Sequence, residues 1–304
     1  MRAIHIHDGH RGPVYALATG AEAATFLSGS GDGLVVRWRV GEPDAGEVLA
    51  NVTHAVFSLL LLQHEGLLLI GTEGGALHVT DLSQVREIRL FEAHRRGIFR
   101  MLRLPGDRLA CAGGDGNLSV WTLGGPGRLE HLRTIPVVEQ KLRDLALSPD
   151  GASLAVACGD GSVRLFDTTL FNEVHTIVAH PAPVGSDLQA GATSLCFHPA
   201  KPVLLSGGKD GHLRLWRSDA GFTALHAFPA HQGGIYRIAF APAGERIATA
   251  SRDKTAKVWD ARTLDPIARL DRQAGGHTHS VNDVRWADGL LLTASDDRRI
   301  IAWA

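Results

Sequence analysis

The stretches GHRGPVYAL (residues 9–17) and SGSGDGLVVRW (residues 28–38) decide the reading of this chain. In the first, a Gly-His pair is followed four positions on by Val14, which opens an alternating run. In the second, a small-residue turn holds Asp32-Gly33, and another alternating run closes on Trp38. Leu34, Val36 and Trp38 point one way while Arg37 points the other, which is the period of a strand. An Asp-Gly pair between two such runs marks a tight hairpin, because that turn needs positive φ. The pattern returns as AHRRGIFRM with CAGGDGNLSVW from Ala93 and Cys111, and as AHQGGIYRIAF with ATASRDKTAKVWD from Ala230 and Ala248. It returns again as GHTHSVNDVRW with LTASDDRRIIAW from Gly276 and Leu292.

The residues at the closing phase are Trp38, Thr80, Trp121, Phe166, Trp216, Trp259 and Trp303, with spacings of 42, 41, 45, 50, 43 and 44. Five of the six Trp share this one phase, and no stretch carries helical periodicity. A period in the low forties with Gly-His near the start and aromatic-Asp near the end resembles the WD-repeat (WD40-type) β-propeller family, over the whole chain and in seven repeats. The resemblance implies an all-β, seven-bladed propeller of four-stranded antiparallel blades, a single domain over residues 1–304. Blades are expected near 9–50, 51–91, 92–136, 137–178, 179–229, 230–270 and 271–304. The last unit stops after its third strand, and AIHIH (residues 3–7) precedes Gly9-His10 at the offset by which Ala224 to Phe228 precede Ala230-His231. Residues 2–8 are therefore expected to complete the last blade and close the ring, which removes a free sheet edge.

Composition narrows the function classes. The chain has 304 residues, 44% hydrophobic and 21% charged, with a formal net charge of -1, so no global field draws it to nucleic acid or to an anionic membrane. The apolar run Val56–Leu62 is too short to span a bilayer, and MRAIHIHDGH lacks the plan of a signal peptide. Cytoplasmic residence and a monomeric ring are expected. Cys111, Cys158 and Cys196 are odd in number and sit in strand-like stretches, which suits buried, reduced thiols.

Ser, His and Asp together invite a catalytic reading, as at His10, Ser28, Asp32 and Trp38. The same set recurs as His180, Ser206, Asp210, Trp216; as His231, Thr249, Asp253, Trp259; and as His277, Thr293, Asp297, Trp303. A catalytic centre is normally built once per chain. In the WD-repeat family such sets form a buried hydrogen-bond relay that fastens the inner strands, and a fully satisfied network stiffens its surroundings. The second unit carries Val52, Ile70, Gly74 and Thr80 at these phases, and the fourth Val138, Val156, Asp160 and Phe166, so both are expected to rely on apolar packing. The third has Cys111 where the hydroxyl belongs. His5, His7, His277 and His279 alternate suggestively, but no carboxylate or Cys completes a ligand set, so no metal and no cofactor are expected.

The features that do not repeat carry the functional expectation. Directly after the apolar anchor of each innermost strand stand Tyr15, Phe57, Phe99, Arg143, Thr193, Tyr236 and Asn282. The resemblance implies that this phase rings the narrower mouth of the central channel, together with neighbours such as Lys141, Lys209, Arg252, Glu73 and Asp296. Aromatic residues and Arg are enriched in interface hot spots, so Tyr15, Phe57, Phe99, Lys141, Arg143, Lys209, Tyr236 and Arg252 are the expected partner-binding residues. The alternative is that the aromatics merely plug the channel neck. PAPVGSDLQAG (residues 181–191) adds eight residues between His180 and Ala192 and extends a loop on the same face. The expected function is a non-catalytic scaffold for a protein or peptide partner, with acidic or phosphorylated ligands as a subclass. A channel enzyme acting on a small molecule, or an RNA-binding module, stands as the alternative.

Overall fold

The computed structural model describes residues 1–125, 127–182 and 189–304. Its strands form seven four-stranded antiparallel sheets. In blade 1 the order from the channel outward is Val14–Thr19, Thr25–Ser30, Leu34–Arg39 and Glu42–Asn51, and blades 2 to 6 repeat that meander. The last blade takes Val281–Ala287, Leu290–Ser295 and Arg299–Trp303 from the C-terminal end and Ala3–Asp8 from the N-terminal end. Ala3 pairs with Trp303 and Asp8 with Arg299, so the closing strand expected from AIHIH is in place. The only helical segments among the described residues are single 3-10 turns at Ser218–Ala220 and Arg272–Ala274.

The core is divided between the blade junctions. Seven apolar clusters each join two neighbouring blades; Leu69 and Val79 of blade 2, for example, pack on Ile98, Met101 and Trp121 of blade 3. The cluster that closes the ring sets Val14, Phe26 and Trp38 against Leu292, Ile300 and Ala302. Because both faces of a blade meet a neighbour, middle strands such as Thr25–Ser30 and Leu67–Thr72 are buried along their whole length, while outer strands such as Glu173–Val178 are mostly exposed.

The hairpin turns make a second junction. Gly33, Gly75, Gly116, Gly161 and Gly211 all have φ between +72° and +92°. A Cβ on Gly211 would lie 2.3 Å from the His231 carbonyl oxygen of the next blade, so the site needs glycine for space as well as for φ. The Gly211 carbonyl accepts the N–H groups of Ala230 and His231, tying turn to neighbouring loop. Blades 6 and 7 place Lys254 and Arg298 at the equivalent position, both with φ of +71°.

Candidate functional site

Five blades contain a wired hydrogen-bond relay. In blade 1, the Trp38 indole N–H donates to Ser28 Oγ at 2.7 Å. The Ser28 hydroxyl then donates to His10 Nε2 at 2.7 Å, and His10 Nδ1–H donates to the Asp32 carboxylate at 3.1 Å. Trp has only a donor, so Ser28 Oγ accepts from it and keeps its own proton to give; with burial pushing the His10 pKa down, the imidazole is assigned as neutral, with its proton on Nδ1. Asp32 also accepts the backbone N–H of Arg11 at 2.7 Å and of Leu34 at 3.0 Å. The relay recurs in blade 5 with His180, Ser206, Asp210 and Trp216, in blade 6 with His231, Thr249, Asp253 and Trp259, and in blade 7 with His277, Thr293, Asp297 and Trp303. Burial pushes the His10, His180 and His231 pKa down, while the partner carboxylates pull the other way. Backbone N–H groups and the histidine hold Asp32 below the usual carboxylate range, against the upward pull of its burial. Every relay hydroxyl is fully buried, which is poor placement for a nucleophile.

Blade 3 completes its relay from a residue that the sequence reading did not single out. Cys111 does occupy the hydroxyl phase, but the blade is not deprived of its relay. Ser119, directly across the strand pair from Cys111, accepts from Trp121 Nε1 at 2.9 Å and donates to His94 Nε2 at 2.9 Å, while His94 Nδ1 reaches Asp115 at 3.0 Å. The hydroxyl has moved to the neighbouring strand. Its sequence signal was a serine two residues before the closing Trp. Burial pushes the idle Cys111 thiol up to about 12. Blade 4 keeps only Asp160, which caps its own turn by accepting from Ser162 N at 2.8 Å and Ser162 Oγ at 2.7 Å.

The mouth residues have a common backbone cause. In all seven inner strands the ladder skips one residue, between Val14 and Ala16, Val56 and Ser58, Ile98 and Arg100, Leu142 and Asp144, Ala192 and Ser194, Ile235 and Arg237, and Val281 and Asp283. The skipped residue is Tyr15, Phe57, Phe99, Arg143, Thr193, Tyr236 or Asn282 in turn. A bulge re-aims the side chain it carries, and here it aims seven of them at the channel.

These side chains surround a cavity of about 760 Å³. Tyr15, Phe57, Phe99, Arg143, Lys209, Tyr236 and Arg252 all line it, together with Thr193, Asn282 and Asp296. Lys141 does not; it is exposed on the rim with Nζ 5.6 Å from the Phe99 ring centre. Tyr15 meets Phe57 edge-on at 5.3 Å, Phe57 stacks on Phe99 at 5.2 Å, and the Arg143 guanidinium lies 4.6 Å over Phe99. The aromatics line the cavity, with Tyr15, Phe57 and Phe99 packed on one another in sequence around its wall. Of the loop at 181–191, residues 183–188 lie outside the described residues; Gln189 reaches the cavity and accepts from Lys209 Nζ at 3.2 Å.

Below the mouth lies a charged belt absent from the sequence reading. Arg237 donates from Nη1 to Asp144 at 3.0 Å and from Nε to Asp283 at 3.0 Å, spanning blades 4, 6 and 7. Arg100 Nε sits 3.3 Å from Asp144 but is misaligned for a hydrogen bond, leaving that buried N–H unpartnered. Both carboxylates also lock adjacent blades: Asp144 accepts from Leu195 N at 2.9 Å and Asp283 from Leu17 N at 2.8 Å. Burial raises each to about 6, with Arg100 offsetting it at Asp144 and Arg285 at Asp283. The available signal was the phase directly after the mouth residue, where Arg100, Asp144, Arg237 and Asp283 interrupt small side chains.

Among the described residues, no cluster of three or more His, Cys, Asp or Glu is arranged to hold a metal ion, and no helix is long and apolar enough to cross a membrane. The model of the WD domain, G-beta repeat, matches residues 1–39, 171–217, 222–260 and 268–304, more than half of the chain. The model of the anaphase-promoting complex subunit 4 WD40 domain matches residues 119–186. The chain is 27% identical to Protein tipD of Dictyostelium discoideum across 94% of its own length, and spans about half (49%) of that relative. It is 26% identical to the serine-threonine kinase receptor-associated protein of Gallus gallus, covering 83% of this chain and 67% of the relative. It is 28% identical to the ribosome biogenesis protein WDR12 homolog of Chlamydomonas reinhardtii, covering 93% of this chain and 70% of the relative. With its seven closed blades, its recurring Trp-to-Asp relays and these matches, the chain belongs to the WD40-repeat family.

Proposed function

We propose that this propeller is a non-catalytic interaction scaffold that grips a segment of a partner protein at the channel mouth. The observation that carries the reading is the open run of Tyr15, Phe57 and Phe99 beside Arg143, held on bulges of a rigid ring. Large aromatic faces with polar edges contribute most of the binding energy in protein interfaces, above all inside a concave, partly desolvated site. The name of the chicken relative, a receptor-associated protein, supports association as the activity.

The enzyme alternative is poorly served by the channel chemistry. Asp144 and Asp283, the carboxylates of the belt, are engaged by arginines and backbone N–H groups, and the Ser-His-Asp sets are sealed inside blades. RNA binding would draw on the same aromatic and basic mixture, but a chain of net charge -1 supplies no long-range attraction to a polyanion.

The test is capture from the native lysate by the full chain and by its Tyr15→Ala/Tyr236→Ala variant. Truncating two hot-spot aromatics costs about 2–4 kcal/mol in total, so retention of specific partners should fall at least about thirtyfold with thermal stability unchanged. Undiminished capture would place the interface elsewhere. Labelling of Ser28 or Ser206 by a serine-directed covalent probe would instead revive the enzyme reading.

A further inference from the structure

The cations of the mouth differ from those beneath it in one respect. Arg237, on the floor, is neutralised by Asp144 and Asp283. Arg143, Lys209 and Arg252 line the same cavity, and no carboxylate among the described residues lies within ion-pair distance of any of them. Arg143 is the costliest case. It is half-buried, its guanidinium carbon lies 4.6 Å from the Phe99 ring centre, and it donates no hydrogen bond to a described residue. A withdrawn guanidinium is normally paired, because desolvation without a counter-charge is expensive. Its N–H groups match the oxygen spacing of a carboxylate or phosphate and meet no acceptor among the described residues.

The cations also strain one another. Burial, followed by repulsion from Arg143 and Lys141, pushes the Lys209 pKa down; burial, then Arg143 and Arg96, does the same at Lys141. Of the two carboxylates on the described cavity wall, Asp283 is taken by Arg237, and Asp296, on blade 7, accepts from Asn282 Nδ2 at 2.8 Å, so neither serves this cluster. The cavity is thus uneven: Tyr15, Phe57 and Phe99 line it from blades 1 to 3 and Tyr236 from blade 6, while Arg143, Lys209 and Arg252 enter from blades 4 to 6 without a carboxylate partner among the described residues.

We infer that the mouth is an anion-recognition site, taking a peptide that sets a phosphate or carboxylate against Arg143, Lys209 and Arg252 and lays a neighbouring apolar side chain on Phe57 and Phe99. This rests on the partner-binding reading of the same mouth and names its ligand class. The anion supplies the missing counter-charge, and its bonds to Arg143 are strengthened by the low dielectric of the cavity. The stacked rings restrict the peptide to those with an apolar residue beside the charge.

Three pools of fluorescent nonapeptides, degenerate except for a central phosphoserine, glutamate or serine, test this by anisotropy on the full chain. One or both charged pools should bind at least tenfold tighter than the serine pool, and the better arm identifies the anion as phosphate or carboxylate. The preference should weaken at least tenfold in high salt. It should vanish in Arg143→Gln and, independently of any packing change at Phe99, in the rim variant Lys209→Gln/Arg252→Gln. Equal binding of all three pools, lost in Tyr15→Ala/Tyr236→Ala, would overturn the anion inference and leave the peptide site standing. Binding of none of the pools, with partner capture intact, would overturn it as well. Loss of both anisotropy and Tyr-dependent capture would overturn the partner reading itself.

Discussion

Ser206 has a single hydroxyl, and two buried groups depend on it: the Trp216 indole N–H and His180 Nε2. Ser206→Ala leaves both without a partner, and each orphaned buried group costs about 1–3 kcal/mol. We expect a loss of about 2–3 kcal/mol, read as a lower urea midpoint with unchanged slope. Blade 2 shows the other solution, with Ile70 at that phase and no relay partner to orphan. His7 lies between these cases. It is 1% exposed, both ring nitrogens lack a partner, and the ring packs edge-on against Phe26 at 5.0 Å and Trp38 at 5.4 Å. A Leu of similar volume would fill this apolar cage without the desolvation cost. His7→Leu should therefore stabilise the protein by roughly 1–2 kcal/mol, seen as a rise in Tm; a fall would mean that the imidazole has a bonding role in the fold.

Two kinds of strand carry the architecture at the scale of elements. The seven inner strands each hold one bulge at the same phase, so a single backbone device both turns side chains into the mouth and sets the next residue into the belt. The closing strand Ala3–Asp8 is the only part of the last blade drawn from the other end of the chain. Removing residues 1–8 exposes the edge of Arg299–Trp303 and uncovers the apolar cluster between blades 7 and 1. The truncated chain should lose cooperativity in thermal unfolding, bind a hydrophobic dye and aggregate at its new edge. An unchanged Tm would show that the ring is held closed by the junction cluster and the Asp283 to Leu17 tie alone.

For the whole molecule, the buried titratable groups set an acid limit. His10, His94, His180 and His231 have pKa values depressed chiefly by burial, and His7 falls to about 4 by burial first and then repulsion from His5. A depressed histidine favours the fold above its unfolded value near 6.5 and gives that stability up as pH falls toward its folded value. Asp144 and Asp283, raised to about 6, act in the opposite sense: their penalty for being charged is relieved between pH 6 and 4. Above pH 6 the histidines act alone, so stability should begin to decline as pH falls below about 6.5, and below pH 6 the two aspartates offset part of the continuing loss. Asp32, Asp115, Asp210, Asp253 and Asp297, all depressed, add a further loss only below their usual carboxylate range. Urea midpoints across this range measure the slope, and His7→Leu should make it shallower. A flat profile from pH 7 to 5 would contradict the wiring that keeps the relay imidazoles neutral.

The repeat was legible because its physics is local. Period-2 alternation, Asp-Gly turns and a Trp every forty-odd residues state what each hairpin must do, and repetition then leaves closure as the remaining question. The offset of residues 3–7 answered even that, since a strand's register is written in its alternation. The phase of the mouth residues was legible too, and seven of the eight proposed binding residues meet in one cavity. Three things were not. Ser119 replaces the missing hydroxyl of Cys111 from across a strand pair, a contact set by register rather than by sequence spacing. The Arg-Asp belt joins residues up to 93 positions apart, across the channel. That no described carboxylate pairs with Arg143 depends on which acids the ring brings near it and which it spends elsewhere. The sequence by itself determined the blades, because strand, turn and face are properties of neighbouring residues. Only the tertiary structure decided which charges at the mouth are balanced, because closing seven blades around one axis is what brings those charges into range of one another.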